Sequence, residues 1–135
     1  MTFALVVDDS AFQRKHLVVI LVKTNGFHKV LEAQDADIAM KMCMKFDPDL
    51  ILMDYDMPRI DGLTASEMII KLKKNANIIM VTATNRDNLR KKAFEIGIKD
   101  VIIKPYTDVQ IVNSLLSLFT YHTVNTNQKQ VTEKN

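Results

Sequence analysis

The stretch Leu50–Gly62 reads LILMDYDMPRIDG. An apolar run, Leu50–Met53, stops at Asp54. Asp56 follows, then Met57-Pro58, then Asp61-Gly62, residues that favour turns. A short apolar run without alternation reads as a strand covered on both faces. Ending it on a carboxylate and turning sharply places a charge at the margin of a buried layer.

Four further runs share this character: Ala4–Val7, Val30–Ala33, Ile78–Val81 and Val101–Ile103. The segments between them carry helical spacing. Ala39, Met42, Cys43 and Phe46 fall at i, i+3, i+4 and i+7, as do Ala65, Met68, Ile69 and Leu72. Leu89, Ala93 and Ile96 repeat the pattern, as do Ile111, Leu115 and Leu118, while Leu17, Ile20 and Leu21 make one such turn in a first helix. Helix stops fall at Asn25-Gly26, Asp47-Pro48 and Gly97. The order is strand then helix, five times over. Parallel strands need crossovers, and right-handed crossovers place helices on both faces. The expected fold is α/β: a doubly wound five-stranded parallel sheet in one domain, residues 1–120. From Thr120 the chain reads TYHTVNTNQKQVTEKN, so residues 121–135 are expected to form a polar, flexible tail or the beginning of a linker.

Composition narrows the function. At 135 residues the chain fits one domain with a real core. A net charge of +2 gives no argument for nucleic acid or an anionic membrane. The single cysteine, Cys43, allows no internal disulfide, in keeping with a reducing compartment. No apolar run approaches the roughly 18 residues of a membrane span. The start, MTFALVVDDS, lacks the features of a signal peptide. A cytoplasmic protein, monomeric or weakly dimeric, is expected.

Polar residues end the runs. Asp8-Asp9 follow the first, Asp54 the third, Thr82 the fourth, and Lys104-Pro105 the fifth. In an open parallel sheet these carboxyl ends share one rim, where ligands bind. Each residue alone has a plain structural role. Asp8 or Asp9 can cap the helix that follows. Asp54 can open a turn. Thr82 suits a strand end, and Lys104 a solvated surface. Their convergence on one rim favours function.

The chemistry they suit is phosphoryl transfer. Clustered carboxylates repel one another unless a cation sits among them, and hard oxygens suit Mg²⁺. The formal charges of Asp8, Asp9, Asp54, Lys104 and a divalent cation cancel, so the pocket can admit a phosphoryl group. A carboxylate can then act as the nucleophile, with ammonium and hydroxyl stabilising the phosphoryl oxygens.

From about Phe3 to Phe119 the chain resembles the receiver domains of two-component response regulators, most closely the small stand-alone chemotaxis kind. The pieces that carry the resemblance are LVVDDS, LILMDYDMPRIDG, IIMVTAT and DVIIKPY, in family order and spacing. The resemblance implies a flavodoxin-like receiver fold and a signalling phosphoacceptor rather than an enzyme. It implies that Asp54 accepts the phosphoryl group, and that Asp8, Asp9, Asp54 and the backbone carbonyl of Asp56 hold Mg²⁺. Thr82 matches the hydroxyl that moves towards the phosphoryl group, and Lys104 the cation that pairs with it, through a cis bond to Pro105. The implied partners are a histidine kinase or phosphotransfer protein and a downstream protein target, without nucleic acid or membrane.

Two positions depart from the family pattern. Val101 stands where the family's switch aromatic would be, so output is expected to run through loop and helix shifts. Asp56 adds a fourth carboxylate, expected to repel a phosphodonor or adjust the acyl phosphate lifetime unless Arg59 or Lys104 pairs with it.

Alternatives are a phosphorelay intermediate and a small phosphatase of the haloacid-dehalogenase type, whose DxD motif Asp54-Tyr55-Asp56 resembles. In those enzymes the DxD comes first and the acidic pair last; here Asp8-Asp9 lead. A receiver-like module that has lost phosphorylation is disfavoured because every key polar residue is present. Three glycines in the whole chain cannot build a nucleotide-cradling loop. His16, His28 and His122 lack metal-ligand spacing. Cys43 and the methionines read as core. Lys71, Lys73, Lys74, Lys91 and Lys92 read as solvated helix faces.

Overall fold

The computed structural model describes residues 2–84, 86 and 88–119; the expected polar tail lies outside them. The strands are β1 (Phe3–Val7), β2 (Lys29–Ala33), β3 (Leu50–Met53), β4 (Ile78–Thr82) and β5 (Asp100–Ile103). The helices between them are α1 (Ala11–Lys23), α2 (Ala36–Phe46), α3 (Gly62–Leu72) and α4 (Leu89–Ile96). A fifth helix, α5, covers 108–119. All strand pairs are parallel, in the order β2-β1-β3-β4-β5. Winding reverses between β1 and β3, which makes their carboxyl ends the topological switch point.

Side chains alternate across a strand, so an unbroken apolar run feeds two cores. Leu5, Val7, Ile51, Met53, Ile78 and Met80 pack against residues of α2, α3 and α4, such as Ala39, Cys43, Ile69 and Ala93. Ala4, Val6, Leu50, Leu52, Ile79 and Val81 pack with Leu17, Ile20 and Leu21 of α1 and with Ile111 and Leu115 of α5. Every residue of β3 and β4 is buried. Burying one such side chain stabilises by about 1.5–3 kcal/mol.

The expected stops are used. Asn25 and Asp47 take left-handed backbone after α1 and α2, and Gly97 ends α4 at φ 109°. The helix faces agree less completely. On α3 the expected stripe of Ala65, Met68, Ile69 and Leu72 is displaced. Gly62, Ala65, Ser66 and Ile69 are buried, while Met68 and Leu72 are exposed. The reason lies at the first residue of the helix. A Cβ on Gly62 would stand 2.0 Å from the carbonyl oxygen of Asp54. The helix lies against the end of β3 at Gly62 and faces the core through Ala65, Ser66 and Ile69, which leaves Met68 and Leu72 outward. Met44 is also exposed, so not every methionine belongs to the core.

Candidate functional site

The sheet register builds the site. Val7 pairs with Met53, so the next residues, Asp8 and Asp54, leave the sheet side by side. The ladder runs one bond further, from the Asp54 N–H to the Val7 carbonyl at 2.9 Å, and the Asp8 N–H donates to Ala33 at 3.1 Å. Both carboxylates are thus fixed to the rigid sheet. On the other side Thr82 pairs with Ile103, and the Lys104 N–H donates to the Thr82 carbonyl at 2.7 Å. The Lys104–Pro105 bond is cis, as the family pattern implied.

Carboxylate oxygens of Asp8, Asp9 and Asp54 lie within 4.8 Å of one another. Asp8 and Asp54 are buried, whereas Asp9 faces outward. The Lys104 ammonium stands 3.1 Å from Asp8 Oδ2 and 3.4 Å from Asp54 Oδ1. Neither Asp8 nor Asp9 caps α1; Ser10 does, its hydroxyl accepting from the Gln13 N–H at 3.3 Å. The second oxygen of Asp8 accepts from the Ser10 N–H at 2.9 Å, and its carbonyl from Arg14 Nη1 at 2.7 Å. The structural reading of the acidic pair as a helix cap therefore fails.

The electrostatics follow from this crowding. Burial pushes the Asp54 carboxyl up to about 6; the neighbouring Asp8 and Asp9 charges push the same way, and Lys104 pulls against them. A bound divalent cation would act with Lys104. Three carboxylates with oxygens within 4.8 Å of one another, one of them exposed so that water can complete the coordination, form a hard-oxygen set that fits Mg²⁺.

Thr82 is fully buried at the rim, and its hydroxyl accepts from the Thr84 N–H at 3.1 Å. Asp56 is exposed, and neither Arg59 nor Lys104 pairs with it. Arg59 bonds Asp37 instead, and Lys104 is held by Asp8, Asp54 and Gln13. The partner is Thr84, whose hydroxyl donates to Asp56 Oδ2 at 2.6 Å. That bond joins the loops after β3 and β4. Val101 is buried among the α2–α4 core residues, and its carbonyl accepts from Arg90 Nη1 of α4 at 3.1 Å. Sequence reasoning overlooked Gln13, Arg14 and Thr84. Thr84 stood two residues after Thr82 within IIMVTAT; nothing in sequence marked the other two.

A sheet that presents clustered acids and a lysine at its switch point defines a class of signalling domain. The family model described as "Response regulator receiver domain" matches residues 4–116. The chain belongs to this family. It is 38% identical to the chemotaxis protein CheY of Bacillus subtilis, over 82% of this chain and 92% of that protein. It is 34% identical to CheY of Thermotoga maritima, with the same coverage. Among solved structures, the CheX-CheY-BeF3-Mg+2 complex from Borrelia burgdorferi matches at 32% identity and TM-score 0.80, covering 87% of this chain and 89% of that one. A CheY-like receiver domain from Methanospirillum hungatei, 21% identical, shares the fold at TM-score 0.84, over 93% and 98% of the two chains. The chain is thus a receiver domain of the CheY type, a signalling module rather than a conventional enzyme. Among the described residues no helix is long and apolar enough to cross a membrane.

Proposed function

We propose that the chain accepts a phosphoryl group on Asp54 from the phosphohistidine of a histidine kinase or phosphotransfer protein and signals by protein contact. One observation carries this reading: a buried acceptor carboxylate shares its pocket with two further acids and a paired ammonium. In the transfer an Asp54 oxygen attacks phosphorus in line. The P–N bond breaks, a P–O bond forms, and the departing imidazole takes up a proton. Lys104 turns one of its N–H donors to a phosphoryl oxygen as charge develops there. The buried Thr82 hydroxyl gives up the Thr84 N–H and turns to another phosphoryl oxygen. Asp8, Asp9, Asp54 and the Asp56 carbonyl would hold Mg²⁺, which supplies charge neutralisation at the phosphoryl oxygens. The relative solved with CheX, BeF3 and Mg+2 supports both the ion and a protein target.

Hydrolysis uses the same groups, with water attacking the acyl phosphate. Without an aromatic at Val101, output passes through the β4–α4 loop and through α4, which Arg90 ties to β5. The test is brief exposure to a small acyl phosphate with Mg²⁺, read by intact mass. One added phosphoryl group is expected, absent from Asp54→Asn and absent after chelation. No mass shift in the parent chain would refute the proposal.

A further inference from the structure

The ammonium of Lys104 has three N–H donors and no acceptor. Asp8 Oδ2 and Asp54 Oδ1 take two of them. The third goes to the side-chain oxygen of Gln13, on the first turn of α1. Since lysine only donates, the amide must present its oxygen to Nζ. Gln13 is exposed, whereas the Lys104 side chain is 13% exposed, so the amide covers the ammonium from the solvent side. The backbone that carries it is set independently of Lys104. The Gln13 N–H donates to the Ser10 hydroxyl, and the Ser10 N–H donates to Asp8. One short segment therefore fixes both an acid and the backbone from which the amide reaches the same ammonium.

We infer that Gln13 is a positioning residue for Lys104. It holds the ammonium partly away from Asp54 before transfer and is the acceptor that yields when a phosphoryl oxygen arrives. A neutral amide is the weakest of the three acceptors, so it is released first. Without it, the ammonium settles onto the two carboxylates and draws closer to Asp54 Oδ1, withdrawing charge from the carboxylate that must attack. The kinetic part of this inference rests on Asp54 being the acceptor. The contact itself does not.

Two measurements test it, on the parent, Gln13→Leu and Gln13→Glu. The first is the Lys104 1Hε–13Cε resonance in Mg²⁺-free protein. Gln13→Leu should displace it, and Gln13→Glu, which keeps an oxygen acceptor, should leave the side chain ordered. An unmoved resonance in Gln13→Leu overturns the inference, whatever the protein does with phosphate. The second is the rate of uptake from a small acyl phosphate, repeated on Lys104→Arg. Gln13→Leu should slow uptake about tenfold, the lower end of what one hydrogen bond to a charged group contributes. In Lys104→Arg, which carries a different donor geometry, the same change should have a clearly smaller effect. Equal losses in both backgrounds, or none in the parent background, would overturn it. Absence of uptake in the parent would instead defeat the assignment of Asp54, leaving the resonance as the judge of Gln13.

Discussion

Acids stand at both ends of the same strands, and their surroundings differ. At the amino ends, Asp49 precedes β3 and accepts from the Phe3 N–H at 2.9 Å, while its carbonyl accepts from Asn77 Nδ2 at 3.1 Å. Asp100 opens β5, accepting from its neighbour's N–H at 2.8 Å and from the Ser114 hydroxyl at 2.5 Å. These carboxylates are committed to backbone and hydroxyl donors, with Arg90 a further partner of Asp100 at 3.8 Å. At the carboxyl ends, carboxylate oxygens of Asp8, Asp9 and Asp54 gather within 4.8 Å, and Asp8 and Asp54 share one lysine. The amino-end acids hold the structure together. The carboxyl-end acids retain unmet demand for positive charge, which is what a cation and a phosphoryl donor can use.

The sharpest test of this contrast is a single substitution of the acid at either end. Asp54→Asn should abolish phosphoryl uptake, a loss of at least about a thousandfold for a missing nucleophile, measured by intact mass. Asp49→Ala should leave uptake near the parent level and instead cost about 1–3 kcal/mol of stability by stranding the Phe3 N–H, read by urea unfolding. If Asp49→Ala removed uptake without loss of stability, the distinction between the two ends would fall.

Cation binding sharpens the same difference. Saturating Mg²⁺ should stabilise the parent by about 2.7 kcal/mol at a hundred times its dissociation constant. Asp8→Asn should lose most of that gain at equal Mg²⁺, whereas Asp100→Asn should keep it. Thermal unfolding with and without chelator reads both.

Asp56 lies between the two classes, near the rim yet bonded to Thr84. Asp56→Asn should speed uptake of an anionic donor about two- to fivefold at low salt, with the gain shrinking as salt screens the charge. Equal kinetics in parent and variant would place Asp56 with the structural acids.

The smallest effect belongs to Glu32. A hydrogen bond from Lys15, with help from Arg14, holds its carboxyl below the ordinary value of 4.5. A depressed folded pKa stabilises above the unfolded value, and that contribution disappears as pH falls through the folded one. Glu32→Gln should therefore cost less than about 1 kcal/mol near neutrality and nothing in strong acid, by urea unfolding at the two pH values.

The sheet and the site differ in how much of them sequence reveals. Strand ends were legible because apolar runs stop abruptly at Asp8, Asp54 and Lys104, and chain order then dictates a shared rim. The partners of those residues were not. Arg59, named with Lys104 as a partner that would neutralise Asp56, goes to Asp37 instead, and left-handed backbone at Arg59, φ 68°, turns the chain there. The apolar face of α3 was misread for a similar reason. Spacing of 3.6 fits two adjacent stripes, and only contact with β3 selects the one through Gly62 and Ser66. Gln13 and Thr84 carry no local signal, since both act on residues brought close by folding.

Gly62 has a consequence for tolerance to change. Its N–H also donates to the Tyr55 carbonyl at 2.9 Å, so helix and strand meet backbone to backbone just below the acceptor acid. Acids on the rim can be exchanged one at a time and leave a folded protein with altered chemistry. At residue 62 a single methyl group would wedge α3 off the end of β3, tilting the floor on which Asp54 stands while every charged group kept its identity.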